Sequence, residues 1–380
     1  MDFHFTEEER KLIDQIHEFA VNEVAPLAAE IDEQERFPEE AWRRLGEMGL
    51  TGVCYPKEYG GGGYSYLTYI AMIEELAKYC ATTAIMFSAH HSLGAFALSE
   101  FGTEEQKRKY LVPLMKGEKL GAFGATEPSA GCDLGSQQTR AVDMGDHWLL
   151  NGSKIFITNG YYADIYFVSA VTDPSKGSRG ISAFVVEKGT PSFSFGKKEK
   201  KMGIRGSATY ELVFEDCQIP KENLIGELGT GFKKALATLD GGRIGVAAQA
   251  LGIAQGAVDR CKEYVTEHMR GEQKISQYQF TQFQLADMQT RVDAARLLVY
   301  RAAQAKQNHE PFGQYAAMAK LFASETAVDV TRRCIELVGY DGVSSDYPFE
   351  RFMRDAKITE IYEGTSEVQR MVISSAMGIK

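Results

Sequence analysis

Apolar residues in the first third of the chain fall at helical spacing. Leu12, Ile13, Ile16, Phe19 and Ala20 follow Thr6 and Glu9, a capping-box pair that predicts a helix start. Pro26 perturbs that helix without ending its pattern, and Phe37-Pro38 opens a second helix that closes between Gly46 and Gly49. Tyr59 followed by Gly60-Gly61-Gly62-Gly63 reads as a loop, Leu67 to Ala77 as helix, and Thr103 before Glu104-Glu105 as the cap of another. At Gly121 the pattern changes to short β-branched and aromatic runs: His147 to Leu150, Lys154 to Thr158, Ile165 to Val171, Ile181 to Val186 and Tyr210 to Phe214. Asn151-Gly152 and Asp173-Pro174 read as turns between them. Long helical patterns return at Gly231: about Phe232 to His268, Phe280 to Gln307 and Gln314 to Val338, with a last helix from Ser366 to Ala376. The expected chain is therefore α+β, with an N-terminal helical domain over 1–120, a central β domain over 121–230 and a C-terminal helical domain over 231–380. Helices, then strands, then helices exclude an alternating βαβ plan.

Composition narrows the function. The 380 residues, 44% hydrophobic and 25% charged, suit a globular protein with a large core. A net charge of -10 speaks against nucleic acid or an anionic membrane surface as partner; the one basic block, Lys197-Lys198-Glu199-Lys200-Lys201, reads as a solvated strand end or turn. Cys54, Cys80, Cys132, Cys217, Cys261 and Cys334 are scattered with no Cys-x-x-Cys pair, which predicts neither a disulfide framework nor a zinc site. His90-His91 lacks metal-ligand spacing and reads as a packed or surface pair, so no metal is expected. Met1-Asp2-Phe3-His4 reads as the start of a polar helix rather than an apolar signal segment; with no membrane-length apolar run, a cytoplasmic location is expected. Neither Gly60–Gly63 nor Gly226–Gly231 fits a dinucleotide-binding or P-loop fingerprint.

The chemistry concentrates near the C-terminus. The run Arg354-Asp355-Ala356-Lys357-Ile358-Thr359-Glu360-Ile361-Tyr362-Glu363-Gly364-Thr365-Ser366-Glu367 sets a carboxylate, Glu363, on a tight turn. Backbone N–H groups and a small hydroxyl lie beside it, as an acid/base residue next to an anionic cofactor or a thioester carbonyl requires. Glu-Gly-Thr is also an ordinary way to leave one helix and cap the next. Upstream, in order, lie Thr126-Glu127-Pro128-Ser129-Ala130-Gly131-Cys132-Asp133, Phe156-Ile157-Thr158-Asn159-Gly160 and Met202-Gly203-Ile204-Arg205-Gly206-Ser207. Together these motifs resemble the acyl-CoA dehydrogenases, flavoenzymes that oxidise acyl thioesters, from about Phe3 to Met377 and most nearly in their short-chain, butyryl form.

The resemblance implies a three-domain fold with a β-barrel between two helical bundles, and FAD as cofactor. It makes Glu363 the base that removes the α-proton while the β-hydride leaves for the flavin N5. The backbone N–H beside the base and a flavin hydroxyl would hold the thioester oxygen, with Gly364 at the substrate. Thr126 and Thr158 take the places of donors around the isoalloxazine, Phe156 the aromatic wall, and Phe123 and Ala125 the neighbouring strand; ordinary barrel packing is the other reading of these residues. Thr365 and Glu367 resemble contacts to the phosphate and adenosine side of the flavin. Some members carry the base just before an arginine in a helix; here that segment is Leu239-Asp240-Gly241-Gly242-Arg243, with glycine at that place. Asp240 and Arg243 are expected on the substrate side, Arg243 lying under the substrate, meeting the CoA adenosine, or forming a helix-surface ion pair. Cys132 stands where serine is usual, facing CoA or flavin as a weak hydrogen-bonding group. Arg205, Ser207 and Thr209, on a Met202–Thr209 hairpin, complete the pocket or order the barrel.

Two segments depart from the family pattern. Counting back from Gln279, the usual Arg-x-x-Phe-Gly has become His268, Gly271 and Glu272; in the other segment a glutamine has become Glu336 and a glycine Tyr340. Both segments are expected to reach across a subunit interface to the ADP half of FAD, where imidazole does not replace a bidentate guanidinium. Three arrangements are compatible: FAD bound in a modified mode, a mixed oligomer whose other subunit supplies the contacts, or weakened flavin binding. The expected partners are an acyl-CoA, an electron-transferring flavoprotein and further copies in a homotetramer. The rival readings are a non-redox lyase or hydratase using Glu363, and a non-catalytic CoA-thioester-binding subunit.

Overall fold

The computed structural model describes residues 3–379. Helix α1 (Glu7–Phe19) begins at a capping box in which the Thr6 hydroxyl accepts from the Glu9 N–H and the Glu9 carboxylate accepts from the Thr6 N–H. Of the expected polar start, Met1 and Asp2 lie outside the described residues, and Phe3 and His4 precede the helix. Pro26 has its effect locally: a π turn (Ala20–Val24) and a 3₁₀ turn (Ala25–Leu27) intervene before α2 (Ala28–Glu33). Then come α3 (Glu39–Glu47), α4 (Tyr66–Ala77), α5 (Ala81–Ala89), α6 (Phe96–Phe101), α7 (Glu104–Gln106) and α8 (Val112–Met115). The sequence reading passed over α5 and α6. Every residue of α5 is buried, so it carries no polar face from which a period could be read. His90 and His91 sit in the π-helical stretch that follows and are buried, as a packed pair.

Seven strands, β1 (Gly121–Gly124), β2 (Arg140–Asp143), β3 (His147–Thr158), β4 (Ile165–Val171), β5 (Ile181–Glu187), β6 (Phe193–Lys198) and β7 (Thr209–Pro220), form one curled sheet in the order β1-β4-β2-β3-β7-β6, with β5 also on β4. The pairing is mixed: β1 runs parallel to β4, whereas β3 runs antiparallel to β7 over most of their lengths.

Two sequence expectations fail here. Asn151-Gly152 is not a turn; β3 runs straight through it with a register shift against β7 between Leu150 and Gly152. Gly152 has φ +140°, and a Cβ there would stand 2.6 Å from the Thr139 hydroxyl, while Asn151 trades two hydrogen bonds with Asp216. The residues that signal a hairpin here make a bulge. Nor is Met202–Thr209 a hairpin: it is the loop between β6 and β7, held down by Arg205 on Glu35 and by the Ile204 N–H donating to the buried Asp355 carboxylate.

After the sheet come α9 (Gly231–Glu267), a two-stranded ribbon of β8 (Met269–Arg270) and β9 (Gln273–Lys274), then α10 (Gln279–Gln307), α11 (Gly313–Val338), α12 (Phe349–Ile358) and α13 (Ser366–Ala376). Helix α9 packs on α4, α5, α10 and α11 and is buried on all sides from Gly241 to Val258. Such an enclosed helix requires small residues where backbones meet: a Cβ on Gly252 or Gly256 would lie 2.3 Å from the carbonyl oxygens of Glu74 or Lys78. Among the described residues no helix is long and apolar enough to cross a membrane.

Candidate active site

Helix α12 ends at Ile358, and the chain turns through Glu363 (φ +52°) and Gly364 (φ +97°) before Thr365 caps α13 by accepting from the Val368 N–H. A non-glycine residue in the left-handed region costs roughly 1–2 kcal/mol, so the surroundings must hold it there. They do so from both sides. The Tyr362 hydroxyl donates to Gln249 of α9. The Gly364 carbonyl accepts from Lys320 Nζ of α11 at 2.7 Å and from Gln369 Nε2 of α13 at 2.8 Å.

The turn aims Glu363 at α9. Its residue is half-buried, but Oε2 is sealed from solvent and has no hydrogen-bond partner. Glycine at 242 makes the room: a Cβ there would stand 2.0 Å from Oε2, with Leu93 closing the other side. Burial pushes the carboxyl up to about 7, against the pull of Lys320 and Arg243. The Glu363 N–H has no acceptor among the described residues, so the turn holds an unused donor on the same residue as the unpartnered carboxylate oxygen. Arg243 is buried rather than on the helix surface; its guanidinium donates to Asp240, whose own carboxyl burial raises while Arg243 and Lys306 oppose the rise. Next to Gly242, Gly241 lies against the Lys306 ammonium of α10, which a Cβ there would meet at 2.4 Å and which is ringed by Tyr66, Phe96 and Phe312 at 4.3, 4.6 and 5.6 Å.

The sheet supplies a second group. Phe156 (φ +59°) is 59% exposed, unusual for a large aromatic on a strand. The hydroxyls of Thr126 and Thr158, both on half-buried residues, have no hydrogen-bond partner among the described residues. Phe123 stacks on Phe167 at 5.0 Å, and Ala125 is a core residue whose carbonyl accepts from Lys154 Nζ. Beneath the loop that carries exposed Cys132 lies an ion pair the sequence reading missed, Lys154 to Glu127 at 2.6 Å, with both side chains all but inaccessible. Glu127 also accepts from the Gln138 and Thr139 N–H groups, so it fixes the loop from inside. Burial lowers Lys154 to about 8 despite the partner; burial works to raise Glu127, and Lys154 with the hydrogen bonds brings it below its ordinary value.

His268, Gln279 and Glu336 do not join this site within one chain. His268 is 26 residues along α9 from Gly242, roughly 39 Å at the helical rise. It stacks on Tyr264 at 3.8 Å, Glu336 is paired with Arg332, and Gln279 is exposed at the start of α10. Arg270 donates to the Leu337 carbonyl at 2.7 Å, and so links the two altered segments to each other. Thr365 is occupied as a cap, and Glu367 lies exposed in the first turn of α13. Two further residues were legible and passed over. Lys320 falls in the buried stripe Ala316, Ala319, Ala323, Ala327, and Lys154 shares the inward parity of Trp148 and Leu150; a lysine in such a place needs a partner. Among the described residues no group of three or more side chains could hold a metal.

Comparison with known proteins gives three family matches in order: acyl-CoA dehydrogenase N-terminal domain over residues 6–118, middle domain over 122–217 and C-terminal domain over 229–378. The chain is 55% identical to the short-chain-specific acyl-CoA dehydrogenase of Clostridium acetobutylicum, covering 98% of this chain and 99% of that one. It superposes on butyryl-CoA dehydrogenase from Megasphaera elsdenii with a TM-score of 0.98 at 51% identity, covering 99% and 100% of the two chains. A chain from the solved structure of the electron transferring flavoprotein of Acidaminococcus fermentans matches with the same score at 52% identity, over 99% of each.

Proposed function

The chain belongs to the acyl-CoA dehydrogenase family, and on that premise we propose that it interconverts a short acyl-CoA and its α,β-enoyl thioester with FAD, Glu363 acting as the base. The observation that carries the reading is the buried, unpartnered Oε2 of Glu363 set against Gly242, between Lys320 and Arg243.

The residues present fit FAD. The free hydroxyls of Thr126 and Thr158 are available to ring heteroatoms, Phe156 offers an uncovered aromatic face, and Phe123 and Ala125 brace the strand behind them. When bound, the flavin supplies an electrophilic acceptor for the β-hydride. The protein's part is proton transfer and polarisation. Glu363 Oε2 takes the α-proton, and the Glu363 N–H holds the thioester oxygen, whose growing negative charge makes that proton removable. A base that titrates near neutrality exchanges protons in both directions at modest cost, which suits oxidation and the reverse reduction alike. Tyr362 on Gln249 and Gly364 on Lys320 and Gln369 keep the carboxylate from swinging away. Cys132, Asp240, Arg243 and Gly364 are assigned to the substrate side, Thr365 and Glu367 to the phosphate side of the flavin.

At the ADP end we assign His268, Gln279 and Glu336 to a neighbouring subunit's FAD, in a homotetramer joined through the C-terminal helices. Exposed Phe280, Phe283 and Tyr340 support such an interface. An electron-transferring flavoprotein as redox partner is supported by the match to the Acidaminococcus chain. Six free cysteines favour the cytoplasm.

The visible spectrum of the purified protein tests the reading, recorded before and after addition of FAD and then butyryl-CoA. The expected result is a flavin spectrum that bleaches on addition of the saturated thioester. A colourless protein that takes up no FAD would overturn it.

A further inference from the structure

Lys320 lies in the middle of α11 and is fully buried, yet among the described residues it has no carboxylate within ion-pair distance. Its ammonium has one hydrogen-bond acceptor, the Gly364 carbonyl at 2.7 Å. An ammonium taken out of water without a counter-ion is among the costlier things a fold can hold, and such groups are normally paired or replaced. Its position gives the reason. The cations facing Glu363 are Lys320 from α11 and Arg243 from α9, with the phenols of Tyr66 and Tyr69 from α4 and the adjacent Tyr362 completing its titratable neighbours. Arg243 is already paired with Asp240. The groups facing Lys320 are Glu363, Glu360, Glu367 and Arg243.

We propose that Lys320 is a positioning residue for the base: it ties the Gly364 carbonyl down and keeps an otherwise unpaired positive charge against the Glu363 carboxylate. The proposal rests on the reading of Glu363 given above. The hydrogen bond and the charge are separable. Gln369 Nε2 donates to the same carbonyl, so the turn keeps one tether when Lys320 is changed, whereas the charge has no replacement. Burial lowers the Lys320 ammonium to about 8, so it remains charged across the neutral range in which Glu363 titrates.

The test uses the full-length protein with Lys320→Met and Lys320→Gln. Infrared difference titration of the substrate-free protein, with Glu363→Gln to assign the band, reads the carboxyl midpoint; the pH dependence of kcat with butyryl-CoA is recorded alongside. Both Lys320 variants should raise the midpoint by about one unit and slow turnover roughly fivefold at pH 7, with KM little changed and turnover recovering at higher pH. A folded variant whose midpoint and pH profile coincide with the parent's overturns the proposal. So does Lys320→Gln restoring the parent midpoint, since then only the hydrogen bond matters. If Lys320→Met does not fold, the glutamine variant carries the test alone. Full activity in Glu363→Gln would instead sink the assignment of the base, whatever Lys320 does.

Discussion

Gly242 and Glu363 share one volume: a Cβ on the first would stand 2.0 Å from Oε2 and 3.0 Å from the carboxyl carbon of the second. They are 121 positions apart in sequence (363 less 242), one within α9 and the other in the turn between α12 and α13. Glu363 is confined by a missing side chain as much as by those present.

Gly242→Ala therefore displaces the carboxylate. Alanine is the better helix former by about 1 kcal/mol, so α9 itself should not suffer. The expected outcome is a fall in kcat of about a hundredfold or more with a melting temperature within a few degrees of the parent's. Steady-state kinetics beside a thermal melt checks it, and an unchanged kcat would show that Glu363 is not so confined.

In the proposed reaction Glu363 works as a carboxylate, and burial holds its carboxyl near 7. Turnover in the oxidative direction should rise with pH through about 7 and then level off. In Glu363→Gln the rise should vanish, along with a factor of about 10² to 10⁴ in kcat. A pH–rate profile from 5.5 to about 9 decides between the two shapes.

Stability should show the same group with opposite effect. Below the ordinary carboxylate range both folded and unfolded chains hold this proton, and nothing is lost. Between that range and about 7 the unfolded chain releases it while the folded chain keeps it, so stability falls as pH rises; above about 7 the penalty is constant. Glu363→Gln should thus be more stable than the parent by roughly 1–3 kcal/mol at pH 8, discounting for partial exposure, and nearly equal to it at pH 4.5. Urea unfolding at the two pH values measures the difference; equal midpoints at pH 8 would contradict it.

The Lys154–Glu127 pair carries a heavier load. Lys154→Met leaves a buried carboxylate without its cation and should cost about 3–5 kcal/mol. Glu127→Gln combined with Lys154→Met should cost distinctly less than the sum of the single changes, because neither partner is then left charged and alone. A double-mutant cycle by denaturant unfolding reports the coupling, and simple additivity would argue against it.

The helices of the outer domains were legible because their apolar stripes and caps are local signals: Thr6 with Glu9, Thr103, and Ser366 to Ala376 stand as read. What escaped was set by tertiary contact. Helix α5 has no polar face to give it a period, and Gly152 signals a turn until Thr139 is seen packed against it. Of the residues in the proposed site, Glu363, Thr126, Phe156 and Thr158 stand out in the sequence because a motif carries them. Lys320 was legible only as a lysine in a buried stripe, and Gln249 and Gln369 not at all, since only the fold brings the three to one turn.

The Glu127 carboxylate also governs how fast things move. It receives the N–H groups of Gln138 and Thr139 at the end of a loop whose middle, Cys132 and Asp133, is open to solvent. For those two amide protons to exchange, the carboxylate must let go, which means admitting water to the Lys154 ammonium inside the sheet. The loop thus looks like surface by accessibility and keeps time like core: its terminal amides should exchange on the slow schedule of global unfolding, while the residues around Cys132 exchange as freely as any exposed chain.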